Sequence, residues 1–380
     1  MEPSIIERVL DLATQIQQIP APTFGEGKRA EFVKKYFFDL GAKDVSVDDT
    51  GNVYTHISGE GNKPPLIVSA HLDTVFPQST DLTSTRTLEK IIGPGIGDNS
   101  LGLAGLFGLY WAFNDNNVDS GTKPVLEGDL WLVANVGEEG LGDLQGMKAV
   151  VNRFGDDALA YIVLEGMSLG QIYHRGLGVR RYRISVHTKG GHSWVDYGNP
   201  SAIHELADLL VKIKDQPIPV EPRSSMNVGV VTGGTSVNTI AADASFELDL
   251  RSESTRVIKN LIEQVESLAK EADRKGGEDI RVTAEVIGDR PAGEIPADHP
   301  LVKIAIECIT RYGIKAKLNI GSTDANVPLS RGLPAICVGL TSGGGSHTLG
   351  EYIDTKPVAQ GIGTVADIIQ TVFRQGINNY

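Results

Sequence analysis

Three apolar runs in this 380-residue chain end in side chains that can bind metal or move protons. Leu66-Ile67-Val68-Ser69-Ala70 delivers His71-Leu72-Asp73. The run from Asp129 to Val136 ends in Gly137-Glu138-Glu139-Gly140, and Ala160 to Leu164 ends in Glu165-Gly166. Any one of these could be a solvated strand end, but three in one chain point to a shared site. Uninterrupted apolar runs of this length suggest strands covered on both faces, and α/β proteins hold ligands at the carboxyl ends of such strands. Alternation along an extended segment turns His71 and Asp73 the same way, so the carboxylate can fix the imidazole tautomer. Glu138 and Glu139 diverge by the same rule, which leaves one for a metal and the other to take a proton from water.

Two glycine-rich loops add to the set. Gly93-Pro94-Gly95-Ile96-Gly97 leads into Asp98, just before a helical stretch beginning at Leu101, where the local reading of Asp98 is an N-cap. Gly343-Gly344-Gly345-Ser346-His347-Thr348-Leu349-Gly350-Glu351 supplies a further imidazole. Carboxylates and imidazoles without cysteine suit a hydrolytic Zn²⁺, Co²⁺ or Mn²⁺ site, since nitrogen and oxygen ligands leave room for a bound water. Two ions about 3.5–4 Å apart can share one bridging carboxylate.

The elements that must position these residues follow from length and periodicity. At 380 residues the chain exceeds what one core usually fills, so two domains are expected. Helical spacing runs through Ile5, Val9, Leu12 and Ile16 until Pro20 and Pro22, and again from about Glu26 to Leu40. Strands are predicted over 45–47, 52–57 and 66–73, and a helix over 101–113. From Val179 the pattern changes to alternation. Strand 180–187, helix 201–215, strands 226–232 and 244–251, helix 253–275 and strand 280–287 make a β-α-β-β-α-β order, as in a ferredoxin-like module. Strands near 316–320 and 335–340 and a closing helix at 355–374 return to the first domain.

Composition narrows the partners. A net charge of −13 argues against nucleic acid or an anionic membrane surface. Met1 to Ile5 lack a basic region followed by an apolar core, and no stretch is long enough to span a bilayer, so a cytoplasmic protein is expected. Cys308 and Cys337 lie in apolar surroundings, which fits buried free thiols.

Ser69-Ala70-His71-Leu72-Asp73-Thr74-Val75, the Gly-x-Gly-x-Gly-Asp98 loop, Gly137-Glu138-Glu139-Gly140, Glu165 and Ser346-His347-Thr348-x-x-Glu351 occur in one order. In these motifs the chain resembles the co-catalytic metallopeptidases related to peptidase T, acetylornithine deacetylase, succinyl-diaminopimelate desuccinylase, aminoacylase and glutamate carboxypeptidase. The resemblance implies a zinc-peptidase-like α/β/α catalytic domain, residues 1–178 and 288–380, with an inserted ferredoxin-like α+β lid and dimerisation domain at 179–287. It implies two divalent ions per subunit, zinc first, with His71, Asp98 and Glu165 on one and Asp98, Glu139 and His347 on the other. Asp98 would bridge, Glu138 would be the general base and Asp73 would orient His71. His192 matches a histidine that reaches the partner subunit's active site in a homodimer. Asn238, Arg251, Arg290 and Asp324 lie in stretches resembling substrate-recognition segments, with a salt bridge as the plain alternative for Arg251. Many relatives follow the bridging Asp with Asp; this chain has Asp98-Asn99-Ser100, and a cis peptide is expected there.

The expected function is hydrolysis of an amide bond in a small peptide or N-acyl amino acid, a peptidase T-like exopeptidase first. A deacylase or carboxypeptidase of the same family is the alternative, which a Glu at position 165 favours. A metal-binding homologue without chemistry is the rival of another class, and the intact Glu138 and ligand set count against it. A two-metal phosphoesterase lacks the basic or backbone cradle it would need.

Overall fold

Residues 3–114 and 125–377 are described by a computed structural model. They form two compact units, Met1–Gly176 with Gly293–Tyr380, and Leu177–Ala292.

The first unit is built on a nine-stranded sheet. Its order is Ser46–Val47, Val53–Ile57, Gly128–Asn135, Lys63–His71, Ala160–Leu169, Ala335–Gly339, Gln171–Gly176 and Gly293–Glu294, with Lys317–Gly321 beside Gln171–Gly176. Gly128–Asn135, Lys63–His71, Ala160–Leu169 and Ala335–Gly339 are neighbours and run parallel. Register sets His56, Trp131, Ile67 and Tyr161 side by side and therefore on one face. Leu164, three residues past Tyr161, faces the other way.

Helices cover both faces. Gln145–Phe154 packs Phe154 on Trp131, ring centroids 5.2 Å apart. Leu101–Asn114 lies on the opposite face, with Gly105 against the side chains of Leu164 and Leu340. That helix is buried nearly all round, through Leu103, Leu106, Phe107 and Tyr110 among others, because helices Pro3–Gln17 and Val358–Gln375 pack outside it. The continuous apolar runs of the parallel strands are thus explained by burial on both sides.

The second unit has a four-stranded antiparallel sheet in the order Ser224–Gly233, Asp243–Ser252, Gly178–Thr188, Ile280–Arg290. Alternate residues Tyr182, Ile184, Val186, Phe246, Leu248 and Leu250 share a core with Leu206 and Leu209 of helix Ala202–Lys214 and with Ile258, Leu261 and Val265 of helix Thr255–Gly276. In chain order the strands lie 2-3-1-4, the ferredoxin-like arrangement. The last strand runs past residue 287: a register shift between Val286 and Gly288 carries it on to pair Arg290 with Val179, so Arg290 stays with this unit.

Cys308 and Cys337 are buried free thiols. Among the described residues no helix is long and apolar enough to cross a membrane.

One glycine fixes how closely the last helix approaches the sheet. A Cβ on Gly361 would lie 1.9 Å from the Leu340 carbonyl oxygen. Alanine ordinarily favours a helix interior over glycine by about 0.5–1 kcal/mol. Here the sign should invert: Gly361→Ala should destabilise the protein by about 1–3 kcal/mol in urea unfolding, because the helix must move off the main chain of Leu340.

Candidate metal centre

The parallel strands and the loops that follow them bring six of the predicted residues together. His71 is the last residue of Lys63–His71, and its ring is 1 % exposed. Its Nε2 is 3.1 Å from Asp98 Oδ1 and 3.9 Å from Glu165 Oε2. His347 Nε2 is 3.2 Å from Asp98 Oδ2 and 3.4 Å from Glu139 Oε1. The two oxygens of Asp98 therefore face two different imidazoles. Two ligand triads result, His71–Asp98–Glu165 and Asp98–Glu139–His347, each with its donor atoms within 4.8 Å of one another. Glu138 joins His71 and Glu139 in a third group at the same limit.

Local structure differs from the sequence reading at three points. Asp98 does not cap the helix beginning at Leu101. It sits in an irregular turn, Ile96–Ser100, with φ −118° and ψ 86°, where the Asp98–Asn99 peptide is cis as expected. Glu165 is not at a strand end: Ala160–Leu169 continues past it, and its register with Ala335–Gly339 shifts between Leu164 and Leu169. Asp73 lies beyond its strand, and it reaches His71 chiefly through the main chain. Its carbonyl oxygen is 3.0 Å from His71 Nδ1, against 3.5 Å for its carboxylate.

That carboxylate has other partners. Oδ1 accepts the Glu138 N–H at 2.9 Å, and Oδ2 accepts the Glu139 N–H at 2.8 Å and the Thr23 hydroxyl at 2.9 Å. Asp73 thus ties the end of one strand to the Glu-Glu pair that follows its neighbour. Asn99 does the same for Glu165: its Nδ2 donates to the Leu164 carbonyl at 2.8 Å and its Oδ1 accepts the Gly166 N–H at 2.9 Å, gripping the chain on both sides of the ligand.

Asp73, Asp98, Glu138, Glu139 and Glu165 crowd around two imidazoles, and their acidities show the strain. Burial, then the charges of Asp98 and Glu138, push Glu139 up to about 8. Burial pushes Glu165 well above the usual carboxylate range against the pull of His71. Burial opposes the charge of Asp98 too, but hydrogen bonds from His347 and His71 hold it well below the usual range. The bond to Asp98 raises His347 to about 9. Such a set fits two divalent ions: nitrogen and oxygen donors at metal-binding spacing, with more negative charge than the nearby imidazoles can neutralise.

Several supporting residues have no signal in the motifs. Helix Gly27–Asp39 puts Ala30, Val33 and Phe37 in the core, and Arg29 lies on the same stripe, one turn before Val33. Arg29 is 1 % exposed. It donates through Nη1 to the Leu72 carbonyl at 2.8 Å and through Nη2 to the Ile19 carbonyl at 2.7 Å. Burial lowers it to about 10, with Asp73 and Glu26 pulling the other way, so it stays charged at neutral pH. Glu26 accepts the Gly137 N–H at 3.1 Å. A charged residue on an apolar helical stripe is the one sequence feature that marks Arg29.

Asp324 is fully buried, and its Oδ2 accepts from Asn135 Nδ2 at 2.7 Å. Its Oδ1 has no hydrogen-bond partner. Burial, then the charge of Glu138, raises its carboxyl to about 7.

His192, Asn238, Arg251 and Arg290 belong to the second unit. Gly191–His192 pairs with Thr239–Ile240, and the Ser193 N–H donates to the Asn238 carbonyl at 3.1 Å, so His192 and Asn238 are neighbours. His192 is exposed, and its Nδ1 accepts the Trp194 N–H at 3.2 Å. In the neutral ring the proton is therefore on Nε2. Arg251 Nε donates to Asp249 at 2.7 Å, and Arg290 is buried at the end of its strand.

The Arg29 contacts generate a prediction. Arg29→Met leaves the Leu72 and Ile19 carbonyls without their buried donor. Urea unfolding should show a loss on the order of 3 kcal/mol.

The chain aligns with a peptidase M20 domain-containing protein of Schizosaccharomyces pombe at 28% identity, over 68% of this chain and 64% of that protein. A probable carboxypeptidase of Aspergillus flavus aligns at 26% identity over 70% and 65%. The matched part is thus under two-thirds of either relative's length. The fold is that of aminopeptidase PepT from Bacillus cereus, with a TM-score of 0.77 at 22% identity over 97% of this chain and 98% of that one. A tripeptidase from Staphylococcus aureus has a TM-score of 0.79 at 22% identity over 97% and 99%. These neighbours share both the α/β catalytic layers and the inserted ferredoxin-like module. Residues 67–371, from the strand that ends in His71 to the last helix, match the family described as Peptidase family M20/M25/M40, and the chain belongs to that metallopeptidase family.

Proposed function

We propose that this protein is a dinuclear metal-dependent exopeptidase of peptidase T type, which cleaves a small peptide with a free charged end. One observation carries the reading. Glu138 stands within 4.8 Å of the donor atoms of His71 and Glu139, beside two triads that already contain the expected metal ligands. His71, Asp98 and Glu165 would hold one ion and Asp98, Glu139 and His347 the other, with zinc favoured and cobalt or manganese as alternatives. Ions bound there supply Lewis acidity that makes water a nucleophile at neutral pH and polarises the scissile carbonyl.

The chain's own residues do the rest. Glu138 takes the proton of the attacking water and returns it to the leaving nitrogen. Asp73 holds the main chain of Glu138 and Glu139 and so sets the carboxylate against the nucleophile. His192, with its proton on Nε2, is assigned to the oxyanion, supplied from the second copy of a homodimer. The edge strand Ser224–Gly233, with Val230 and Val231 exposed, supports an assembly through the inserted module. Arg290 is assigned to the substrate carboxylate, which guanidinium grips with two bonds, with Asn238, Arg251 and Asp324 as further recognition residues.

A second reading is a carboxypeptidase or N-acyl-amino-acid deacylase. The carboxypeptidase name of the Aspergillus flavus relative and a glutamate at position 165 favour it.

Product analysis separates the two. The metal-loaded protein is given tripeptides, dipeptides and N-acyl amino acids, and the products are read by mass spectrometry. Release of the N-terminal residue is expected, whereas a released C-terminal residue or acyl group would establish the second reading. Glu138→Ala should lower kcat/KM by about 10²–10⁴ with metal content unchanged, and a fully active variant would remove the proposed base.

Metal uptake should also depend on pH. Glu139 and His347, titrating near 8 and 9, keep their protons in the metal-free site, and an ion must displace them. Affinity measured by equilibrium dialysis should therefore rise with pH up to about 9. A flat profile across that window would contradict ligation by these two groups.

A further inference from the structure

Glu351 lies four residues beyond His347 and is 0 % exposed. Its carboxylate is filled by main-chain donors from the other glycine-rich loop. Oε2 accepts the Gly95 N–H at 3.1 Å, and Oε1 accepts the Gly97 N–H at 2.7 Å and the Asp98 N–H at 2.8 Å. The Glu351 carbonyl accepts the Gly93 N–H at 2.8 Å. Immediately after it, Tyr352–Asp354 pairs with Lys90–Ile92, the strand leading into the Asp98 loop.

The loop needs such an anchor. Gly95 has φ +74°, and Asp98 has non-helical angles inside a turn closed by the Ser100 N–H on the Gly95 carbonyl and the Leu101 N–H on the Ile96 carbonyl, while the N–H of Asp98 itself finds its partner outside that turn, on Glu351. On the other side, His347 has φ +63°, and Thr348 closes its turn by donating its N–H to the Gly345 carbonyl at 3.0 Å. Both loops are irregular, and both carry ligands of the Asp98–Glu139–His347 triad. A buried carboxylate next to the carboxylate of Asp98 is a poor choice for packing alone, because like charges out of water repel strongly. Three N–H donors converging on one carboxylate make it tolerable.

We infer that Glu351 is a positioning residue of the metal centre: by gripping the turn that presents Asp98 from the loop that presents His347, it sets the distance between these two ligands. The inference rests on the proposed dinuclear site. Glu351 has no ligand role of its own, since its oxygens are taken by the turn.

The test measures metal binding rather than turnover. Zn²⁺ stoichiometry and affinity are determined by equilibrium dialysis for the wild-type protein, Glu351→Gln and Val265→Ala. Glutamine keeps the size of the side chain but turns an amide N–H₂ toward main-chain N–H groups. Glu351→Gln should bind the ion of the Asp98–Glu139–His347 triad about 10–100-fold more weakly, the usual effect of removing a residue that orients a ligand. Val265→Ala, destabilised in the core of the inserted module, should bind both ions as the wild type does. A Glu351→Gln protein with wild-type affinity for both ions overturns the inference and leaves the dinuclear site standing. A wild-type protein that binds no Zn²⁺ overturns both.

Should Glu351→Gln not fold, hydrogen exchange on the metal-free wild type decides. The amides of Gly97 and Asp98 should be protected, and rapid exchange at both would overturn the inference.

Discussion

The repulsion among buried carboxylates at one end of the parallel sheet is the constraint on which the rest of this structure depends. Asp73, Asp98, Glu138, Glu139 and Glu165 converge on two imidazoles; three of the five are buried and Asp98 and Glu165 are less than one-fifth exposed, so little water screens them. Such a cluster would spread apart unless main-chain geometry forced it together. The parallel strands provide that force, because their carboxyl ends lie at one edge and their hydrogen bonds cannot relax to separate the residues that follow.

A second layer fixes what the strands only bring near. Main-chain N–H groups of Glu138 and Glu139 end on Asp73, that of Gly137 on Glu26 and that of Gly166 on Asn99. Arg29 adds a buried positive charge that donates to the Leu72 carbonyl, one residue from His71. Carboxylates and amides thus satisfy main-chain groups that end strands and open loops, and this holds the irregular backbone around the site.

The two imidazoles differ in setting. His71 is buried, and its Nδ1 is held by the main chain of Asp73, which commits Nε2 to the Asp98 and Glu165 side. His347 is half exposed and sits on a loop with a left-handed residue, so its place depends on what its loop is tied to. An asymmetry of this kind suits a centre in which one ion is held by the sheet and the other closes from a loop.

Much of this was legible in the chain itself. Apolar runs ending in His71 and Glu138–Glu139 specified parallel strands with imidazole and carboxylate groups at their carboxyl ends, and the run before Glu165 specified a third such strand, though that one continues to Leu169, since strand burial and residue type are local properties. Alternation from Val179 onward specified the ferredoxin-like module for the same reason. Tertiary structure decided the rest. Whether Asp98 capped a helix or bonded two imidazoles depended on where His71 and His347 arrived. The carboxylate of Asp73 went to amides of another strand, a pairing set by sheet order. The roles of Arg29, Asn99 and Glu351 arise from main-chain groups tens to hundreds of residues away, and a side chain's own neighbours in sequence carry no record of them.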